Sequence, residues 1–236
     1  MNLGISNKFK TDVAWNIVSV IILGIVGLVL NILIARFYGP SILGVFNQVF
    51  AIYILGSQLA AGSIHLSVQK YLAEEKENEN DQIISAGIIT TFFVAIFFAL
   101  VIFLLRNLFG DLLKSPDVSF GAALIAPGLV FFALNKVFMA ILNGLRQMKS
   151  FALFQMLRYI FFLIGLIIIY KFKISDLYLP GIFTFSECIL FFLLFFYTLP
   201  KTKYFFHKKN KWIKKHLIFG SKALLGNVLI DINTRV

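Results

Sequence analysis

The chain is predicted to be all-α, a polytopic membrane bundle of six transmembrane helices plus the start of a seventh, and three observations predict it. Six apolar runs, at residues 13–35, 44–68, 83–105, 118–142, 152–170 and 177–199, are each long enough to cross a bilayer core, which needs roughly 20 apolar residues as helix. The composition is 59% hydrophobic with mean hydropathy +0.88 and only 14% charged residues, which excludes an ordinary soluble domain. Stretches such as residues 92–105 lack the alternation of a barrel strand. In lipid the backbone must satisfy its own hydrogen bonds, so helices remain.

The first run follows Lys8 and Lys10 as a signal peptide would, but its 23 residues exceed the roughly 7–15 of a secretory apolar region, so it is expected to stay as an anchor. The second carries Asn47, Gln58, His65 and Gln69, which at about 100° per residue share one helix face. That face is expected to look toward protein or water, with inter-helix hydrogen bonding as its simplest role. His65 has no second ligand at metal spacing and is read as a packing or hydrogen-bonding residue. The acidic run at residues 74–81 is a solvated loop. The third run, 83–105, is uninterrupted, and the outer segment 106–117 after it is read as a short loop. The fourth contains Pro127, where a bend is expected because proline leaves a carbonyl unpaired and clashes with the previous turn. Pro40, Pro116 and Pro200 stand at span ends and Pro180 in a first helical turn, where a missing N–H costs little. The lone Cys188, in the sixth run, excludes an internal disulfide and any thiol-based metal framework, so neither cofactor nor metal is expected.

The net charge of +11 and pI near 9.8 invite a nucleic-acid reading, and the location of the basic residues removes it. With the N-terminus in the cytoplasm, fourteen Lys and Arg fall on inner segments and five (Arg36, Arg106, Lys114, Lys171 and Lys173) on outer ones. Lys136, Arg158 and Arg235 lie within or at the limit of spans. This asymmetry is the positive-inside rule and predicts an N-inside protein of the cytoplasmic membrane. The basic stretch at residues 201–215 also holds Phe205, Phe206 and Trp212. It is either a topology signal or a segment lying on an anionic leaflet, and in both readings it links two helical groups. The domain expectation is therefore a six-helix bundle over residues 1–200, a cytoplasmic linker over 201–216 and the start of a second bundle over 217–236.

Polar residues inside spans need a reason, since a charge at a helix centre costs roughly 2.5–3.5 kcal/mol on insertion scales. Lys136 and Asn143 are seven apart on the fourth span, and Gln155 and Arg158 three apart on the fifth, so each pair shares a helix face. Both cations fall in the inner half of the membrane under the N-inside topology, where an anionic lipid headgroup made in the cytoplasm would arrive. Snorkelling to the inner interface is the alternative role. Glu187, near the middle of the sixth span, either pairs with one of these cations or exchanges a proton. Asn227, Asp231 and Arg235 recur every four residues and give the seventh segment a polar stripe.

Several short motifs carry a family resemblance. They are Ile34-Ala35-Arg36-Phe37-Tyr38-Gly39-Pro40, Leu43-Gly44-Val45-Phe46, Gly62, Val68-Gln69-Lys70-Tyr71-Leu72-Ala73, Ile141-Leu142-Asn143-Gly144-Leu145-Arg146, and Phe219-Gly220-Ser221-Lys222-Ala223-Leu224-Leu225-Gly226-Asn227 leading to Asn233-Thr234-Arg235-Val236. Their order resembles the polysaccharide-transporter branch of the multidrug/oligosaccharidyl-lipid/polysaccharide exporter superfamily, which includes O-antigen and teichuronic-acid flippases. The resemblance implies two six-helix bundles around a central cavity, joined by a cytoplasmic linker, with no catalytic residues. It also implies an aspartate just after Val236, and so a second bundle beyond this chain as its expected partner. The implied function is flipping of a polyprenyl-pyrophosphate-linked oligosaccharide across the cytoplasmic membrane by alternating access, for surface polysaccharide or lipopolysaccharide synthesis. On that reading Lys136 and Arg158, with Arg36, Asn143 and Gln155, receive the substrate, and Glu187 or Asp231 couples to protons or cations.

Other functions make different demands. A drug exporter of the same superfamily would bind cations with carboxylates, yet Glu187 is the only acid inside the six complete spans. A membrane glycosyltransferase or polymerase would need acidic or histidine clusters on sizeable outer loops, and the outer segments 106–117 and 171–176 are short. A third possibility is a chain without its second bundle that does nothing by itself or assembles with another copy.

Overall fold

The computed structural model describes residues 7–74, 79–201 and 210–235, and within them every regular element is helical. The first span is α1 (Asn7–Tyr38), longer at both ends than its apolar run. After Gly39, Pro40 opens α2 (Pro40–Ala61) at the position where its fixed φ suits a helix and its missing N–H leaves no partner wanting.

The run expected as one second span, 44–68, is broken. α2 stops at Gly62, whose left-handed φ of 52° lets its N–H close on the Gln58 and Leu59 carbonyls, and Ser63 follows with φ 51°. A new helix, α3 (Ile64–Glu74), then continues to the end of the bundle. Glycine adopts this backbone at no steric cost, which is why the break falls there.

The third span is α4 (Asn80–Leu104). The segment expected as a loop after it contains a short helix, α5 (Arg106–Leu112), packed on the next span. That span is α6 (Pro116–Gly144), one helix through Pro127, which is exposed. The turn after α6 is closed by the Arg146 N–H on the Asn143 carbonyl (2.9 Å) and the Gln147 N–H on that of Leu142 (2.7 Å), with Arg146 left-handed at φ 56°. α7 (Met148–Lys171) returns, a 3-10 turn (Asp176–Tyr178) leads in, and α8 (Gly181–Thr198) completes the sixth span. Six of these helices are long and apolar enough to cross a membrane: α1, α2, α4, α6, α7 and α8.

Successive spans alternate in direction. At one end Trp15 of α1 lies beneath Lys149 of α7, and Leu72 of α3 abuts Gly144 of α6. At the other, Phe37 stacks on Tyr170 and Gly121 is wedged between Val49 and Pro180. We call these the N-terminal end and the opposite end. α6 is the central helix, packed by α2, α3, α4 and α8, and its contact with α8 is tightest at Gly128. A Cβ there would sit 2.9 Å from the Thr184 Cα. Thr184 Oγ1 donates to the Leu124 carbonyl (2.6 Å), one residue along from the carbonyl that Pro127 leaves without its helical donor.

The last helix, α9 (Asn210–Arg235), begins inside the segment expected as linker and packs on α3 and α4 at the N-terminal end. Trp212, considered from sequence as a leaflet-facing residue, is fully buried against Tyr71, with ring centroids 5.1 Å apart. Phe205 and Phe206 lie outside the described residues.

Candidate functional site

A cavity of about 430 Å³ opens between α2, α3, α6 and α7, with Leu23 of α1 at its edge. Four of the residues singled out by charge and spacing line it together: Lys136 and Asn143 from α6, Gln155 and Arg158 from α7. Gln58, His65 and Gln69 line the same cavity despite the helix break between them. Asn47, assigned to their face by angle alone, is exposed and stands apart. Arg36 is exposed in the last turn of α1, at the opposite end of the bundle, and does not join Lys136 and Arg158. The side chain of Asp231 lies outside the described residues.

The cavity wall is aromatic as well as polar. Phe50, Tyr53, Phe132, Tyr159 and Phe162 line it, and Tyr53 stacks on Phe183 behind it with centroids 4.7 Å apart. Lys136 Nζ lies 5.5 Å and the Arg158 guanidinium carbon 4.8 Å from the Phe132 ring centroid, so both cations share one aromatic neighbour.

Glu187 of α8 is fully buried behind this wall, and Arg158 Nε lies 2.8 Å from its Oε1. Of the two expectations for Glu187, pairing with a cation is what the geometry contains. Tyr53 donates its hydroxyl to Oε1 (2.9 Å), and Asn135 Nδ2 donates to Oε2 (2.8 Å) and to the Glu187 carbonyl (2.9 Å). A buried charge is retained only when its lone pairs are satisfied in this way. Tyr53 and Asn135 were not legible as part of the site, since neither carries a charge. The available signal was that Asn135 adjoins Lys136 in an otherwise apolar run.

The electrostatic result is asymmetric. Arg158 is neutralised by Glu187, whereas among the described residues Lys136 makes no ion pair, so the cavity holds one uncompensated cation. Among the described residues no group of three or more His, Cys, Asp or Glu is placed to hold a metal.

The cation-bearing cavity is thus sunk between helices of which α2, α6 and α7 are long and apolar enough to cross a membrane. The chain belongs to the polysaccharide biosynthesis protein family, whose model matches residues 9–236. No curated protein matches it. Its fold is that of solved MATE and MOP-superfamily structures. One, a MATE protein crystallised in complex with MaD5, superposes with TM-score 0.74 at 16% identity over 93% of this chain and 53% of that one. A second is a MOP-superfamily transporter from Pyrococcus furiosus, described as having a binding pocket of reverse polarity that suggests a different function. It gives TM-score 0.72 at 16% identity over 93% and 52%. A third, a multidrug-resistance MATE-family transporter in an outward-facing conformation, gives 0.66 at 15% over 90% and 51%. The chain thus spans about half the length of these structures.

Proposed function

We propose that this chain forms half of a transporter that moves an anionic, lipid-linked saccharide across the cytoplasmic membrane, with its N-terminus inside and a second six-helix bundle as its other half. The observation that carries this reading is Lys136, an unpaired cation in a cavity enclosed by four helices. An unpaired charge at membrane depth is costly and marks a ligand path by default. A diphosphate head group would complete it, with Asn143 and Gln155 as hydrogen-bonding neighbours. Arg36, at the opposite end, would meet the head group only on the far side. Glu187 is the coupling carboxylate of this reading: protonation would release Arg158 from its partner and add a second cation to the cavity. Asp231 keeps the same coupling role as an expectation.

A cation-exporting function, prompted by the MATE likeness, fits less well, because the carboxylate in reach is already matched by Arg158. That a transporter of this fold from Pyrococcus furiosus is distinguished by the polarity of its pocket supports reading substrate class from cavity charge. The test is export of surface glycan by the full-length protein carrying Lys136→Ala, Arg158→Ala or both. Each single variant should lower export with membrane insertion intact, and normal export from the double variant overturns the assignment.

A further inference from the structure

At the N-terminal end of the bundle, ammonium groups from two helices gather around two rings. Lys70 Nζ of α3 lies 5.5 Å from the ring centroid of Tyr71 and 5.3 Å from that of Phe219. From α9, Lys215 Nζ lies 4.0 Å from the Trp212 centroid and 5.1 Å from that of Tyr71, and Lys211 Nζ lies 5.2 Å from Trp212. Tyr71 and Trp212 pack edge to face, so the rings that seat α9 on α3 also hold these cations in place. A ring attracts an ammonium without removing its charge, and like charges gathered in this way repel. Glu74, 3.9 Å from Lys70, and Glu79, 3.5 Å from Lys211, face them across open ion pairs, which solvent screens and a better-placed anion can displace.

The position says which anion fits. α9 runs antiparallel to α3, with Trp212 against Tyr71 near the N-terminal end and Gly220 against Gly62, so the residues after Lys215 lie deeper along the bundle. Leu217 and Ile218 are exposed there, within one turn of Lys214 and Lys215. At about 100° per residue, Ile218 falls within some 60° of Lys211 and Lys215 around α9. Cations at the end of the bundle with exposed aliphatic side chains one turn inward suit a phospholipid, its phosphate at the lysines and its acyl chain along Ile218. Trp212 does not itself enter the leaflet, because it is buried, and it serves instead as the backing of Lys211 and Lys215.

We propose that Lys70, Lys211 and Lys215 bind the headgroup of an anionic phospholipid, which clips α9 to α3 and so strengthens the joint between the six spans and the helix that follows them. The site needs only a membrane around the bundle. Its assignment to the inner leaflet rests on the N-inside orientation of the transport reading above.

The experiment uses the full-length protein in detergent, offered equimolar phosphatidylglycerol and phosphatidylcholine, with retained lipid counted by native mass spectrometry. The wild type should hold phosphatidylglycerol about tenfold more tightly, since each basic residue at a membrane surface contributes about fivefold and the two glutamates offset part of this. Lys70→Gln and Lys215→Gln should each lower that preference about threefold to fivefold, and together bring it close to unity. Lys214→Gln removes the same charge from the same turn, but among the described residues Lys214 is exposed and stands over no ring, so the preference should stay within about twofold. Inorganic phosphate at matched ionic strength, which has no acyl chain, should not displace the lipid. Phosphatidylglycerol should also raise the unfolding temperature of the wild type more than that of the Lys70→Gln, Lys215→Gln double variant. No preference in the wild type, as would follow if a second bundle covers these lysines, or an equal loss in Lys214→Gln, overturns the site. Displacement by phosphate overturns the lipid as its occupant, and equal thermal shifts overturn the clip. Lipid retention in detergent is blind to orientation and to export, so the transport reading stands or falls separately on the Lys136 and Arg158 variants.

Discussion

Arg158 and Glu187 show how a buried ion pair is held and what it does to its surroundings. Glu187 is fully buried and Arg158 nearly so, and the carboxylate accepts hydrogen bonds from Tyr53 and Asn135 while facing the guanidinium across an ion pair. Removing one partner strands the other charge, a loss of about 3–5 kcal/mol, whereas replacing both with apolar residues of similar volume is often near neutral. Glu187→Leu and Arg158→Met should therefore each lower the unfolding temperature in detergent strongly, and the double variant should recover most of the loss. A double variant as unstable as the sum of the singles would show that the pair is not the reason for the destabilisation. Lys136, which lies over the Phe132 ring and makes no ion pair among the described residues, makes no such contribution, so Lys136→Met should be neutral or stabilising in the same assay. The charges of this site were legible in the sequence because a cation in an apolar run stands out. The residues that organise them were not, because a tyrosine and an asparagine in a membrane helix are ordinary unless their partner, 134 or 52 residues away in the chain, is known.

At the level of elements, the six spans were readable from length and hydropathy, while the helix break at Gly62 and the docking of α9 were not. A single glycine in an apolar run does not announce a helix end, and a basic stretch reads as a topology signal or a leaflet contact even where residues one helical turn apart face inward. The inward residues are Trp212 and His216, four apart on one face of α9. His216 Nε2 donates to the Ile83 carbonyl (3.1 Å), which can only accept, and in the neutral ring Nδ1 then accepts from the Ser67 hydroxyl (2.8 Å). The two contacts thereby select the Nε2–H tautomer of the neutral ring. Burial pushes its pKa down from 6.5 to about 4, against the Ile83 hydrogen bond and helped by the neighbouring Lys215. Undocked, the ring would titrate near its ordinary value and bind a proton that the docked state excludes. Docking of α9 is then full above about pH 6.5 and weakens as pH falls toward 4. In a Trp15→Phe background, Trp212 fluorescence should shift to the red across that window, and His216→Phe should flatten the response. A second contact tests the same interface: a Cβ on Gly220 would sit 2.5 Å from the Gly62 carbonyl. Alanine gains about 1 kcal/mol in helix propensity over glycine, but overlap with a backbone atom costs about 1–3 kcal/mol, so Gly220→Ala should loosen α9. An unchanged Trp212 spectrum at neutral pH would contradict that balance.

At the scale of the whole molecule, the basic asymmetry makes a statement about orientation that labelling can check. Cys188 is the only cysteine, so Cys188→Ser gives a clean background. A membrane-impermeant maleimide should then label Lys173→Cys, at the exposed turn before α8, in intact cells, and should reach Arg146→Cys, at the turn after α6, only after lysis. The opposite pattern would invert the topology and put the Lys136 cavity toward the outside. The short helix α3 has a consequence at this scale. One of its faces presents His65 and Gln69 to the cavity, and another presents Ser67 and Tyr71 to α9. On the proposed reading α3 would therefore stand between cargo on one side and α9 on the other. Any cargo that binds more tightly with α9 seated must, by reciprocity, seat α9 more firmly when it arrives, and a protonated His216 must in turn slacken the grip on cargo.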